Sequence, residues 1–167
     1  MATPSAISLL QSCKTNVNLW EPLFFSVEEG IVIRNLTDIM LPKTEQTPGA
    51  LEVNVPEFLD LYASKVYTKE QKKSYREEIH AIIQELLNQD DDVSKLTTQN
   101  YDNLLSKYLK ADANTQKTFK NGKGENIVFN SLLKLRNTSV WAYRTSELIG
   151  ESVLAYDPIP GKQQGCI

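Results

Sequence analysis

Only a few residues in this chain of 167 could carry out chemistry, and they are scattered. His80 is the only histidine, and it falls on the Arg76–His80–Gln84 face of a predicted helix, away from the apolar stripe. A general base needs a nucleophile and an orienting partner, and the sequence places neither beside His80. An enzyme that uses His80 is an alternative hypothesis, which predicts an activity that His80→Ala abolishes.

Three further motifs contain residue types that are found in metal, phosphate-binding or redox sites. Asp90-Asp91-Asp92 lacks the alternating ligands, the glycine and the distal glutamate of a calcium loop. Gly122-Lys-Gly124 lacks the spacing of a phosphate-binding loop. The two cysteines, Cys13 and Cys166, form no CxxC pair. We expect no catalytic residue, no cofactor and no metal in this chain.

Composition narrows the classes of protein further. The chain has 18 Lys and Arg against 21 Asp and Glu, a net charge of -3, and the two signs are interspersed. A basic stripe typical of nucleic-acid binders is not found. No run reaches the roughly 18 apolar residues of a membrane span. The length suits one domain with its own core.

The apolar spacing predicts an all-α fold, a single small domain of about five helices. Ser26-Val-Glu-Glu29 and Thr68-Lys-Glu-Gln71 match capping boxes and predict two helix starts. Pro42 is expected to end the first helix near Leu41. The other predicted helices cover about Val55–Lys65, a segment from Thr98, and residues 126–156 with Gly150 as a dividing point.

The remaining segments are predicted to be irregular. Residues 14–25 are predicted to form an extended arm, with Trp20, Leu23, Phe24 and Phe25 packing it onto the body of the domain. Residues 111–125 are predicted to form a polar loop. Residues 157–167 hold two prolines and two glycines and form a Pro/Gly-rich tail. The aromatic residues leave two readings open, core packing or an exposed partner-binding patch: Trp20, Phe24, Phe25, Trp141 and Tyr143.

The start of the chain resembles the end of an export signal. Leu10-Gln11-Ser12-Cys13 has the layout of a bacterial lipoprotein cleavage site, in which Cys13 would receive the lipid. An ordinary N-terminal cysteine is the alternative. We therefore divide the chain into residues 1–13, a remnant of an export signal, and residues 14–167, the helical domain.

Three blocks of sequence carry a resemblance to a known family. They are LTDIMLPKTEQTPGALEVNVPEFLDLY (residues 36–62), YTKEQ (residues 67–71) and TSELIGESVLAYDPIPGKQQGC (residues 145–166). The first contains Thr47-Pro48-Gly49-Ala50 followed by Val55, Phe58, Leu59 and Asp60. These blocks resemble the gluconate 2-dehydrogenase subunit 3 family.

The resemblance implies a small, non-catalytic accessory subunit in a periplasmic dehydrogenase complex. The large subunit would bind FAD, belong to the glucose–methanol–choline type, and be exported together with this chain; a cytochrome c subunit often accompanies it. The chain departs from the family by lacking a twin-arginine motif. A membrane contact is expected only through the complex or through a lipid on Cys13.

The contact residues expected for this role lie in two segments. They are Thr47, Pro48 and Gly49 in the loop after the first helix, and Tyr156, Asp157, Pro158, Pro160, Gly161 and Cys166 in the tail. Cys166 is a candidate for a disulfide with the partner, with a buried or free thiol, or a bridge to Cys13, as the alternatives. A stand-alone periplasmic lipoprotein that acts as a helical scaffold is the alternative function.

Overall fold

The computed structural model describes residues 20–87, 92–122 and 124–154. Within these ranges the chain is helical and contains no strand, which confirms the all-α prediction. The helices are α1 (Val27–Met40), α2 (Val55–Val66), α3 (Lys69–Leu87), a 3-10 helix at Val93–Lys95, α4 (Thr98–Leu109), α5 (Ala113–Asn121), α6 (Glu125–Arg144) and α7 (Glu147–Ser152).

Both predicted capping boxes are present and begin helices at the predicted residues. Ser26 Oγ accepts from the backbone N–H of Glu29, whose carboxylate accepts from the backbone N–H of Ser26 at 2.7 Å. Thr68 and Gln71 exchange the same two bonds at the start of α3. These local bonds satisfy helix-end donors that have no partner within the helix.

Helix α6 is the centre of the domain, because α1, α2, α3, α4, α5 and α7 all contact it. Its inward side chains Phe129, Leu132 and Leu135 are almost completely buried. The neighbouring helices each contribute an apolar stripe to the same core, such as Ile79, Ile82 and Leu86 of α3. The burial of this shared apolar surface is the main stabilising contribution to the fold.

The arm before α1 is attached to α2 by one buried carboxylate. Asp60 accepts hydrogen bonds from three successive backbone N–H groups, those of Leu23, Phe24 and Phe25, at 2.7, 2.8 and 2.9 Å. The side chain of Asp60 is only 1% exposed. The arm is not part of a helix, so its buried backbone N–H groups have no backbone carbonyl partners of the regular kind. The carboxylate of Asp60 supplies the hydrogen-bond acceptors that these N–H groups need.

Arg76 of α3 holds the same arm from its other side. Its guanidinium donates to the carbonyl oxygen of Phe24, lies 4.6 Å from the centre of the Phe24 ring, and pairs with Glu29 at 3.3 Å. The arm therefore connects α1, α2 and α3. The packing predicted for Phe24 and Phe25 is confirmed, whereas Leu23 is 66% exposed, because its backbone rather than its side chain faces Asp60.

The prediction of a polar loop over residues 111–125 is wrong, because α5 occupies most of it. Asp112 caps this helix by accepting from the backbone N–H groups of Asn114 and Thr115. Phe119 then packs against the rings of Tyr108 and Phe129, with centroids 4.9 and 6.1 Å away. A single apolar residue was too weak a periodic signal to reveal this helix.

The predicted division of the last helix at Gly150 is also wrong. The break lies at Thr145 and Ser146, between α6 and α7, and Gly150 sits inside α7. The hydroxyl of Thr145 donates to the carbonyl of Trp141, and that of Ser146 to the carbonyl of Tyr143. These hydroxyls offer the backbone carbonyls an alternative to helical partners, and the helix ends there.

Replacing Asp60 tests the attachment of the arm. Asp60→Ala leaves buried N–H groups without acceptors and should lower the free energy of unfolding by about 3 kcal/mol or more. The measurement is chemical denaturation followed by circular dichroism.

Asp38→Ala is the matched control, because Asp38 is an exposed aspartate of α1. It should change the free energy of unfolding by less than about 0.5 kcal/mol. Equal effects of the two substitutions would contradict the role given to Asp60.

Candidate partner-binding surface

Three aromatic rings from α2 and α6 meet at the surface of the domain. The ring of Trp141 lies 5.4 Å from those of Phe58 and Tyr62 in edge-to-face contacts, and Phe58 and Tyr62 stack at 5.9 Å. Trp141 is 44% exposed and Phe58 is 37% exposed. We call Phe58, Tyr62 and Trp141 the aromatic surface; the exposed side chains of Leu61 and Val66 extend along the same helix, α2.

The pairing of α2 with α6 positions these rings. Phe58 and Tyr62 are four residues apart and therefore share one face of α2. The start of α2 lies beside the end of α6, where the ring of Phe58 contacts that of Trp141, and the Tyr143 hydroxyl donates to the carbonyl of Pro48 in the preceding loop at 2.6 Å. Lys134, two turns before Trp141 on α6, lies over the ring of Tyr75 of α3, which contacts Tyr67 at the end of α2. The two helices are thus antiparallel.

A continuous series of ring contacts supports the aromatic surface from below. Tyr62 contacts Tyr67 at 5.6 Å, Tyr67 contacts Tyr75 at 5.6 Å, and Tyr75 stacks on Phe24 of the arm at 5.8 Å. Burial raises the pKa of Tyr67 and of Tyr75 above the ordinary tyrosine value. Both phenols therefore stay neutral at physiological pH, and the series adds no negative charge.

The loop between α1 and α2 holds the predicted residues Thr47, Pro48 and Gly49 in a fixed arrangement. The backbone N–H of Ala50 donates to the carbonyl of Leu41 at 2.8 Å, and that of Gly49 to the carboxylate of Glu52 at 2.8 Å. A β-carbon on Gly49 would lie 2.6 Å from the backbone nitrogen of Lys43. Glycine is required here by close approach of the backbone.

An open groove of about 290 Å³ runs beside this loop. Its lining includes Thr44, Thr47, Pro48 and Leu148, so the loop and α7 share it. Thr47 and Pro48 are partly exposed, whereas Gly49 is buried. The structure therefore gives Gly49 an internal role, and the partner contact expected of this loop stays a prediction.

The structure also shows where His80 and Asp92, the other residues considered for chemistry, lie. His80 is exposed, and the Gln84 amide nitrogen lies 3.5 Å from its Nε2 atom. Asp92 caps the 3-10 helix by accepting from the backbone N–H of Ser94. In the described part of the chain, no group of three or more His, Cys, Asp or Glu residues could hold a metal ion. No described helix is both long and apolar enough to cross a membrane.

Comparison with known proteins gives one match. The sequence model described as gluconate 2-dehydrogenase subunit 3 matches residues 27–161, which is more than half of the chain. The chain belongs to the gluconate 2-dehydrogenase subunit 3 family. No curated protein and no solved structure matches it. The family is that of an accessory subunit of a dehydrogenase complex.

Two residues that carried the sequence resemblance to this family have structural explanations. Gly49 permits the tight approach between the loop and Lys43, and Asp60 holds the arm. Phe58, from the same block, belongs to the aromatic surface. The first block of the resemblance therefore contains residues that hold the fold together, Gly49 and Asp60, and a residue of the exposed aromatic surface, Phe58.

The remaining predicted site residues lie outside the described residues. These are Cys13, Tyr156, Asp157, Pro158, Pro160, Gly161 and Cys166. The division at residues 1–13, the lipid on Cys13 and the disulfide of Cys166 all stay predictions.

Sequence reasoning missed most of the aromatic surface. The spacing of Phe58, Leu59, Tyr62 and Val66 predicts one apolar stripe on α2, but of these only Leu59 is buried. Trp141, for which the sequence leaves core packing and an exposed patch both open, is exposed, as are Ile127 and Val140 of the same helix, α6. The apolar surface of α2 is wider than a single buried face of a helix requires. This width is the sequence signal that some of its apolar residues are exposed.

Gly49→Ala tests the close packing of the loop. The added methyl group would collide with the backbone at Lys43, and the free energy of unfolding should fall by about 1–3 kcal/mol. Gly150→Ala is the matched control, because nothing lies within 4 Å of its added β-carbon and the residue is helical. It should instead stabilise the protein by about 0.5–1 kcal/mol in thermal or chemical denaturation. Destabilisation by both changes would contradict the account of this loop.

Proposed function

We propose that this chain is the non-catalytic small subunit of a flavin-dependent dehydrogenase complex. It binds and stabilises a large subunit of the glucose–methanol–choline type, which carries FAD and oxidises gluconate or another sugar. It also assists the export of that subunit. Membership of the gluconate 2-dehydrogenase subunit 3 family supports the dehydrogenase complex as the setting.

The observation that carries the proposal is the exposed aromatic surface. The three rings contact one another, and Trp141 is 44% exposed. In the isolated chain they therefore leave apolar surface exposed to solvent. Tryptophan and tyrosine are over-represented among the residues that dominate binding energy at protein interfaces. An accessory subunit that docks through this surface explains why these rings are not buried in its own core.

The location of the complex forms part of the proposal. We place it in the periplasm, as the resemblance to an exported family and the cleavage-site layout before Cys13 suggest. A lipid on Cys13 would attach it to a bacterial membrane, and a cytochrome c subunit would be a further partner that accepts electrons from the flavin.

Co-purification tests the proposal. The tagged chain is purified from its native host, and the eluate is examined for flavin absorbance and for sugar-dependent dye reduction. We expect both to accompany the wild type. Trp141→Ala should reduce the recovered flavin by about tenfold or more, because it removes a ring of the size that anchors interfaces.

Ile127→Ala is the control for this experiment. Ile127 is an exposed apolar residue of the same helix, but it lies in a groove with Ser74, Glu77 and His80 rather than beside the aromatic surface. It should leave flavin recovery unchanged. Wild-type chain that elutes without any flavoprotein would overturn the proposed function.

A further inference from the structure

We infer that Asn121 is a modification site, at which the chain deamidates spontaneously to aspartate and isoaspartate. Of the asparagines in the chain, only Asn121 is followed by glycine. It is the last residue of α5, and Gly122 follows it at the junction with α6. The inference is independent of the proposed function, because this junction lies at the opposite end of α6 from Trp141.

The reaction uses only the chain itself and water. The backbone nitrogen of Gly122 attacks Cγ of Asn121, and a bond forms between these two atoms. The bond from Cγ to Nδ2 breaks, and the amide nitrogen leaves as ammonia, taking up the proton that the Gly122 nitrogen releases. Water then opens the resulting succinimide ring at either carbonyl carbon. One opening gives aspartate and the other gives isoaspartate, so either product carries one more negative charge than the original chain.

The glycine after Asn121 leaves room for this attack. Glycine has no β-carbon beside the attacking nitrogen, and its backbone reaches conformations that other residues rarely adopt. Every other asparagine is followed by a residue with a side chain, such as Val55 after Asn54. Asn121 is also exposed, so water reaches the side chain and ammonia can leave.

The structure holds neither reacting group firmly. Within the described residues no hydrogen bond engages the side-chain amide of Asn121, whereas the amide of Asn126 donates to the carbonyl of Lys120. The backbone N–H of Gly122 donates to the carbonyl of Phe119 at 3.2 Å, in the last turn of α5. Because the terminal turns of helices open readily, this single bond slows the attack without preventing it.

The experiment incubates the purified chain at mildly alkaline pH, which favours loss of the proton from the attacking nitrogen. A protease that cleaves after glutamate then releases residues 86–125, and tandem mass spectrometry locates the mass increase that accompanies replacement of an amide by a carboxyl group. We expect this increase at Asn121, with isoaspartate among the products. A synthetic peptide of residues 113–125 is the reference for the unfolded chain. It should react faster, because no helix restrains the N–H of Gly122.

Gly122→Ala is the matched control, because the fold accommodates it. The added β-carbon would lie 3.4 Å from the carbonyl oxygen of Thr118 and 3.5 Å from Oε2 of Glu125, which are ordinary contacts, and φ of Gly122 is -76°. Circular dichroism checks that the variant folds as the wild type does. Its deamidation at Asn121 should be slower by about tenfold or more, because the methyl group obstructs the attacking nitrogen.

Two results would overturn the inference. In the first, Asn121 of the wild-type chain stays intact while the peptide is fully converted, which would mean that the folded junction prevents the attack. In the second, the Gly122→Ala chain deamidates at Asn121 as fast as the wild type. Neither result bears on the flavoprotein partner, which co-purification tests separately.

Discussion

The fold depends on the buried carboxylate of Asp60 and the three backbone N–H groups that it accepts. Those bonds attach the arm to α2, and Arg76 attaches the same arm to α3. Phe24 and Phe25, once held there, complete the core between α1, α2 and α3. A buried carboxylate without such donors would be strongly destabilising, so the arm and Asp60 stabilise each other.

The same interaction underlies the aromatic surface. Helix α2 directs Asp60 inward to the arm, whereas Phe58 and Tyr62 of that helix face outward towards Trp141. The ring contacts that run inward through Tyr67 and Tyr75 reach the arm at Phe24. The exposed rings therefore stand on a packed aromatic base, which reduces the side-chain entropy that binding would otherwise cost.

The sequence predicted those parts of the fold that depend on local interactions. Capping boxes and apolar spacing located the starts of α1 and α3, because their hydrogen bonds join residues three apart. The role of Asp60 could not be predicted, since its bonds join residues at least 35 positions apart in the sequence. For the same reason the exposure of Trp141 was left open: periodicity marks a side chain as apolar without saying whether another helix covers it.

The central claim is that the aromatic surface is the contact face of an accessory subunit. Site-specific photo-cross-linking tests it most directly, with a benzoylphenylalanine side chain placed at position 141 or, as a control, at position 127. The account predicts a flavin-containing adduct with the dehydrogenase subunit from position 141 and none from position 127. An adduct formed from position 127 alone, in a complex that still assembles, would contradict it.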